Sequence, residues 1–511
     1  ADLILENYVW KQLLVDAVQD QTLPLWDPYL FTGHPFLANG QHSALYPLTW
    51  VFLALPIPRA FGVFIVLQLG LAGIWMYVLG RVIKAGPLGS LVAGIVFQFS
   101  GFMVVSVVHP MIVAGASWLP LLLALVECTI GRRRFWVQER AVLPWALLGA
   151  IALGLQTLAG HPETTYFVLL VVVGFAGWRL IHGSLTSPKA LWRSEVLPPT
   201  LGIALIVSLG LVLGAVQLLP FYEVARDSFR QGAVTLQQVL GWAYPARRLI
   251  TFFIPNFYGN PTHRTLIDVF SRQEIRAGTS ALGDTVSSFD WGIKNYVEGG
   301  AYLGILPLLL AGIAVLRPGE AAAGREGSRL RRNRVVRAMV DWMRQPYLPL
   351  LVALAAFSLA CMYGTPVYAL VYALPFMGQS HSPFRWVFPF TVAVAALAGL
   401  GVSAISTACR QWSNRGMGRA MPAQVSAGTT SSPVLPLQQR SRLQSLVLLG
   451  APMDVISVTA AIAIWGGFLT GVGVLGSFLA YDAIEPLVSR AFWSLARAAN
   501  VFPDARAFYS Y

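Results

Sequence analysis

The sequence predicts an all-α polytopic membrane protein, and three observations carry that prediction. The 511 residues are 56% hydrophobic and only 12% charged, whereas an ordinary soluble domain is about 25% charged. Apolar runs of about 20 residues, the length needed to cross hydrocarbon, recur along the chain. The excess positive charge is confined to particular short loops. Such spans are helices, because lipid offers no partner to an open backbone.

Ten spans are expected, at roughly 60–80, 88–107, 111–130, 141–158, 164–181, 196–218, 299–316, 347–365, 385–409 and 455–480. They divide the chain into an N-terminal segment (1–59), a first helix group (60–218), a loop region (219–298), a second helix group (299–480) and a tail (481–511). Two further loops, 317–344 and 410–442, have the composition of disordered segments. The chain opens at Ala1 on a segment that reads as extramembrane. We expect a transmembrane helix ahead of it.

Net charge is +13 and mean hydropathy +0.62. The charge does not indicate nucleic acid, because most Lys and Arg fall in the loops at 81–87, 131–140, 179–193, 317–344 and 410–442. An excess of this kind marks the cytoplasmic side of a membrane. The N-terminal segment, the 219–298 region and the tail then lie on the non-cytoplasmic side of a plasma-membrane protein. Three cysteines without a Cys-x-x-Cys pair exclude a disulfide framework and a zinc ribbon.

Under this topology the reactive polar residues gather at outer helix ends. Asp2 and Glu6 lie one helical turn apart and share a face. The helix they open, near 2–20, is expected at the interface. Asp27 follows in a stiff Trp-Asp-Pro turn. His161 and Glu163 flank Pro162 between two spans, where they suit a hydroxylated ligand or, equally, a helix cap. Glu298 precedes another span. Arg385 begins one at headgroup depth, where its planar fork suits a lipid phosphate; as a bare anchor it would snorkel. Arg247 and Arg248 are the next candidates for that role.

Five stretches, in order, resemble the YfhO-like bacterial membrane proteins. They are the run from Asp2 through LPLWDPYLFTGHPFLANGQHSALYP, AGHPETTYFVLL at 159–170, IPNFYG at 254–259, VEGGAYLGILPLLLA at 297–311 and SPFRWVFPFTVAVAALAGLG at 382–401. That family is similar to GT-C-type glycosyltransferases. The resemblance implies a GT-C-like transmembrane bundle whose non-cytoplasmic loops form a small outer layer. It implies transfer of a sugar from a polyprenyl-phosphate-linked donor to a cell-envelope glycan, lipid or protein acceptor. By position Asp2 matches the essential acid of the first outer loop and would act as general base. Arg385, backed by Arg247 and Arg248, would meet the phosphate, and His161, Glu163 and Glu298 would orient the sugar or acceptor. Family members often read Asn at position 27 and Gln at position 163, so Asp27 and Glu163 each add a carboxylate. No cofactor is indicated; the number of acids leaves room for a divalent metal. Membrane lipids are the expected surroundings, and nucleic acid is not a partner.

Two other classes compete. A lipid or polysaccharide transporter would place ionisable groups near the midplane, where these spans carry few; Asp454 is the main exception. A non-catalytic subunit of a larger assembly would leave the outer acids without a shared cavity.

Overall fold

The computed structural model describes residues 3–30, 32–186, 195–227, 234–255, 265–267, 271–272, 274–276, 282–283, 297, 300–316, 340, 342–375, 377–380, 382–419, 473, 476–477, 479–494, 499 and 504–510. Helices dominate them. A π-helical turn, Leu3–Tyr8, runs into α1 (Val9–Gln19). A two-residue ribbon follows, β1 (Trp26–Asp27) against β2 (His34–Pro35), with Asp27 opposite His34. Then come α2 (Phe36–Asn39), α3 (Val51–Ala54), α4 (Ile57–Val82), α5 (Gly86–Gln98) and α6 (Gly101–Val105). The first helix group continues with α7 (Pro110–Ser117), α8 (Leu119–Ile130), α9 (Leu143–Leu158), α10 (Pro162–Thr186) and α11 (Leu197–Arg226). Beyond α12 (Leu236–Leu240) and a short ribbon, β3 (Thr265–Ile267) with β4 (Glu274–Arg276), lie α13 (Ile305–Leu316), α14 (Leu348–Met362), α15 (Tyr368–Tyr372) and α16 (Val387–Arg419). The tail carries α17 (Tyr481–Ser494) and α18 (Ala505–Ser510).

Six helical stretches among the described residues are long and apolar enough to cross a membrane: Ile57–Val82, Gly86–Val108, Pro110–Ile130, Pro162–Ser184, Leu197–Arg226 and Pro383–Cys409. Shorter apolar helices, α9, α13 and α14, occupy three more of the expected spans. The tenth, 455–480, lies largely outside the described residues. Two helices run well past their expected ends. α16 continues to Arg419, where a disordered loop was expected from residue 410. α11 continues to Arg226, with Pro220 inside it, where a loop was expected from residue 219. A proline reads as a helix stop, but between helices its lost hydrogen bond is tolerated.

In lipid, helices associate by close packing rather than by hydrophobic exclusion. The Pro110–Ile130 helix is the central post, 89% buried in its most apolar window, with α4, α9 and α10 around it. α9 packs along α11, and α5 and α13 along α16. The α5–α16 crossing shows how: a Cβ on Gly89 would strike the Gly399 carbonyl, and one on Gly399 would approach that of Gly89 at 2.6 Å. Only glycine on both sides lets the backbones meet.

The contacts separate two poles. At one, Arg133 donates to the Val82 carbonyl at 2.5 Å, Arg132 and Arg140 flank Glu195, and His182 Nε2 meets the Arg344 carbonyl at 3.1 Å. These are the loops that the charge pattern grouped together. At the other pole the N-terminal segment docks onto the helix ends. Ser43 donates to the Ala159 carbonyl at 2.6 Å and Gln217 to the Leu37 carbonyl at 2.8 Å. Tyr46, fully buried, links Trp118 Nε1 at 3.0 Å to Gln68 Oε1 at 3.1 Å. The sequence leads us to expect the 219–298 region over the N-terminal segment; the bonds of its described part run to the end of α14 and the turn after α15, through Tyr244 N to the Met362 carbonyl (2.8 Å) and Val234 N to the Gly378 carbonyl (3.1 Å).

Candidate functional site

The polar cluster at the second pole is built where α10 and α16 begin. Gly160, at φ +91°, turns the chain out of α9, and its missing Cβ is required because the Gly40 carbonyl presses on that face. His161 then caps α10. Its Nδ1 accepts the Thr164 N–H at 3.1 Å and contacts the Thr164 hydroxyl at 2.8 Å, satisfying one of the amides a helix start leaves open. Burial, then the charge on Arg385, then His109 push the His161 pKa down to about 3. The imidazole is therefore neutral and committed through Nδ1 to the cap.

Glu163 stands in the first turn of α10, where a carboxylate complements the helix dipole. Its Oε1 accepts the Ser380 hydroxyl at 2.7 Å, and its Oε2 forms an ion pair with Arg385. Arg385 sits in the 3-10 turn Pro383–Trp386 ahead of α16. That turn is held by Trp386, buried edge-to-face against Phe167 at 5.2 Å and Phe357 at 5.1 Å. Tyr166, one turn along α10, donates to the Pro375 carbonyl at 2.8 Å. Glu163 and Arg385 are both partly exposed, 23% and 30%.

The other candidates are placed as follows. Asp2 and Glu298 lie outside the described residues, as does the side chain of Arg247. Arg248 belongs to the 3-10 turn Ala246–Phe252, buried with its guanidinium 5.6 Å over the Tyr244 ring. Asp27 is buried on β1, where Oδ1 accepts the Tyr29 N–H at 2.9 Å. That bond closes an Asx turn, a local role. The structure thus unites His161, Glu163 and Arg385, places Asp27 in a local turn and sets Arg248 over the Tyr244 ring. Among the described residues, no three His, Cys, Asp or Glu side chains gather as metal ligands.

Sequence reasoning missed three features. Ser380, the second partner of Glu163, gave no signal beyond its nearness to Arg385. Lys11, buried against the His42 carbonyl, reads in sequence as a solvated lysine. At the opposite pole Glu127 and Arg179 form a two-pronged ion pair, 2.7 and 2.9 Å, with the Tyr347 hydroxyl donating to Glu127 at 2.8 Å. Charged residues inside the apolar runs of α8 and α10 were the available signal for that pair.

No family model matches the chain, and no curated protein matches it. Among solved structures it is similar to the crystal structure of the Archaeoglobus fulgidus oligosaccharyltransferase in the apo form. Identity is 12% and the TM-score 0.36, over 87% of this chain and 50% of that one. The chain therefore spans half the length of that protein.

Proposed function

We propose that the chain is a YfhO-like, GT-C-type membrane glycosyltransferase of the plasma membrane. It moves a sugar from a polyprenyl-phosphate carrier to a cell-envelope acceptor on the non-cytoplasmic side. The observation that carries this reading is the Glu163–Arg385 pair with Ser380: a partly exposed guanidinium at the start of a membrane-crossing helix, held by a carboxylate from a second such helix. A lipid phosphate rests at that depth, and arginine is the side chain that meets it with paired donors. The five sequence stretches that resemble the family support the same reading.

In this mechanism the acceptor hydroxyl loses its proton to the Asp2 carboxylate. Its oxygen bonds to the anomeric carbon, and the bond from that carbon to the phosphate oxygen breaks. The phosphate leaves on its lipid, and Arg385 stabilises the charge it gains. Glu163 holds the guanidinium until the phosphate replaces it as anionic partner. Neutral His161 adds no competing charge and fixes the turn on which Glu163 stands. Glu298, Arg247 and Arg248 remain proposed contributors to donor binding, and Asp27 to the acceptor side. A divalent metal, for which the number of acids leaves room, would add its charge against the departing phosphate.

The test uses the purified full chain in liposomes with farnesyl-phosphate-linked glucose, mannose and N-acetylglucosamine as donors. Release of farnesyl phosphate with transfer of labelled sugar is expected. Asp2→Asn, which keeps shape and removes the proton acceptor, should lower transfer about 10²–10⁴-fold. Movement of intact donor across the bilayer with no cleavage would overturn the enzyme reading in favour of a transporter.

A further inference from the structure

The N-terminal helix α1 carries a lysine that does not face water. Lys11 is 2% exposed. Its ammonium donates to the His42 carbonyl and lies 5.0 Å from the Phe52 ring centre and 6.0 Å from that of Phe64. No carboxylate among the described residues pairs with it, and burial alone lowers its pKa from 10.5 to about 7.

The receiving residue is itself immobilised. The His42 ring stacks on Phe36 at 4.1 Å, its Nε2 meets the Phe36 carbonyl at 2.9 Å, and its Nδ1 accepts the Ala44 N–H at 2.9 Å. The next residue, Ser43, donates to the Ala159 carbonyl, and the Gly40 carbonyl abuts Gly160. Ala159 and Gly160 lead directly into His161 and Glu163. A continuous line of contacts therefore joins α1 to the turn that carries the Arg385 partner.

We propose that Lys11 is a positioning residue: by clamping α1 to the His42 carbonyl it fixes the start of the chain against the turn that bears His161 and Glu163. Its consequence for catalysis rests on the function proposed above, because Asp2 lies just ahead of the helical turn at Leu3–Tyr8. The His42 carbonyl takes a hydrogen bond from the amine in either protonation state, and the Phe52 and Phe64 ring faces add attraction for the ammonium alone. The groups facing Lys11 are His42 from the 36–46 segment, Phe52 from α3 and Phe64 from α4; His34 acts on His42 from behind. The His42 imidazole is neutral at ordinary pH, so Lys11 is the member of this group that titrates between pH 7 and 10.5. An undocked α1 returns the amine to water, where it is charged, whereas the docked state favours the neutral amine. The clamp therefore tightens as pH rises from about 7 to 10.5 and is constant below about 7.

The experiment places spin labels at Gln19→Cys on α1 and Trp136→Cys at the opposite pole, in full-length protein with Cys409→Ser, in nanodiscs without substrate. The wild-type background should give a distance distribution that narrows from pH 7 to pH 9. Lys11→Met should be broad at both pH values. Lys11→Arg should keep at both pH values the width that wild type shows at pH 7, because guanidinium keeps its charge there. A Lys11→Met distribution as narrow as wild type at both pH values overturns the proposal, as does an Arg variant that still responds to pH. In the transfer assay, Lys11→Met should keep the donor KM and lose at least tenfold in kcat. If no donor turns over even with wild type, the functional reading fails while the distance result still decides the role of Lys11.

Discussion

Glu163 and Arg385, far apart in sequence, meet as an ion pair where α10 and α16 begin, and the Ser380 hydroxyl holds the other carboxylate oxygen. Removing either charge should separate anion binding from folding. Arg385→Ala should weaken farnesyl phosphate binding about 10–100-fold, the effect of one or two hydrogen bonds to a charged group. Glu163→Gln keeps the guanidinium and the Ser380 bond but removes the competing anion. It should bind farnesyl phosphate more tightly than wild type while unfolding at a lower temperature. Titration calorimetry and melting curves in detergent check both.

The ion pair at the opposite pole is a different case, because it is buried and fully bonded. Glu127 is 3% exposed and Arg179 lies 4.9 Å from the Tyr347 ring centre. Glu127→Ala strands the guanidinium among apolar helices and should cost about 3–5 kcal/mol. The double change Glu127→Leu with Arg179→Leu should restore most of that loss. Thermal unfolding of the three proteins makes the comparison, and a double variant no better than the single one would show that the pair itself is required.

Acid should loosen the N-terminal segment through His42. Burial first, then Lys11, push its pKa from 6.5 down to about 3. The folded state thus prefers the neutral ring. Its contribution is complete above about pH 6.5 and is lost as pH falls toward 3, with a ceiling on the order of 5 kcal/mol at 1.36 kcal/mol per unit. Melting temperatures at pH 6.5, 5.5 and 4.5 should fall more steeply for wild type than for His42→Asn. Lys11 does not confuse the measurement, because its own window lies above pH 7.

Gly160→Ala should detach the N-terminal segment from the α9–α10 turn. The position has φ +91°, and an added methyl would collide with the Gly40 carbonyl, which is backbone and cannot rotate away. Strain of this kind costs on the order of 1–3 kcal/mol. Faster amide exchange at 36–46, with α4 and α5 unchanged, is the expected signature.

The membrane helices were legible because each must be a long apolar run, a local property. Burial within the bundle was not: the central Pro110–Ile130 helix and the more lipid-exposed α11 read alike, since both interiors are apolar. Of the site, Glu163 and Arg385 were legible as charges at helix ends, and their pairing was not, because no local signal joins α10 to α16. His161 shows the same limit from the other side. Its residue type suits chemistry, but Thr164, three residues on, draws its Nδ1 into a cap. Lys11 was invisible because a lysine's surroundings are decided by what folds over it, here Phe52 and Phe64.

The bonds among Glu127, Arg179 and Tyr347 tie α8, α10 and the start of α14 together at one end of the bundle. With that end fixed, a change in the tilt of α10 is felt at its far end, where the Glu163–Arg385 pair and the Ser380 hydrogen bond hold it to the start of α16. α10 has 25 residues, a length of about 37 Å at 1.5 Å per residue. A tilt of about 5° about the fastened end carries its Glu163 end through roughly 3 Å at that length, the width of a hydrogen bond. A movement no larger than this separates Glu163 from Arg385, so the ion pair is the latch that sets the spacing of α10 and α16 at this pole.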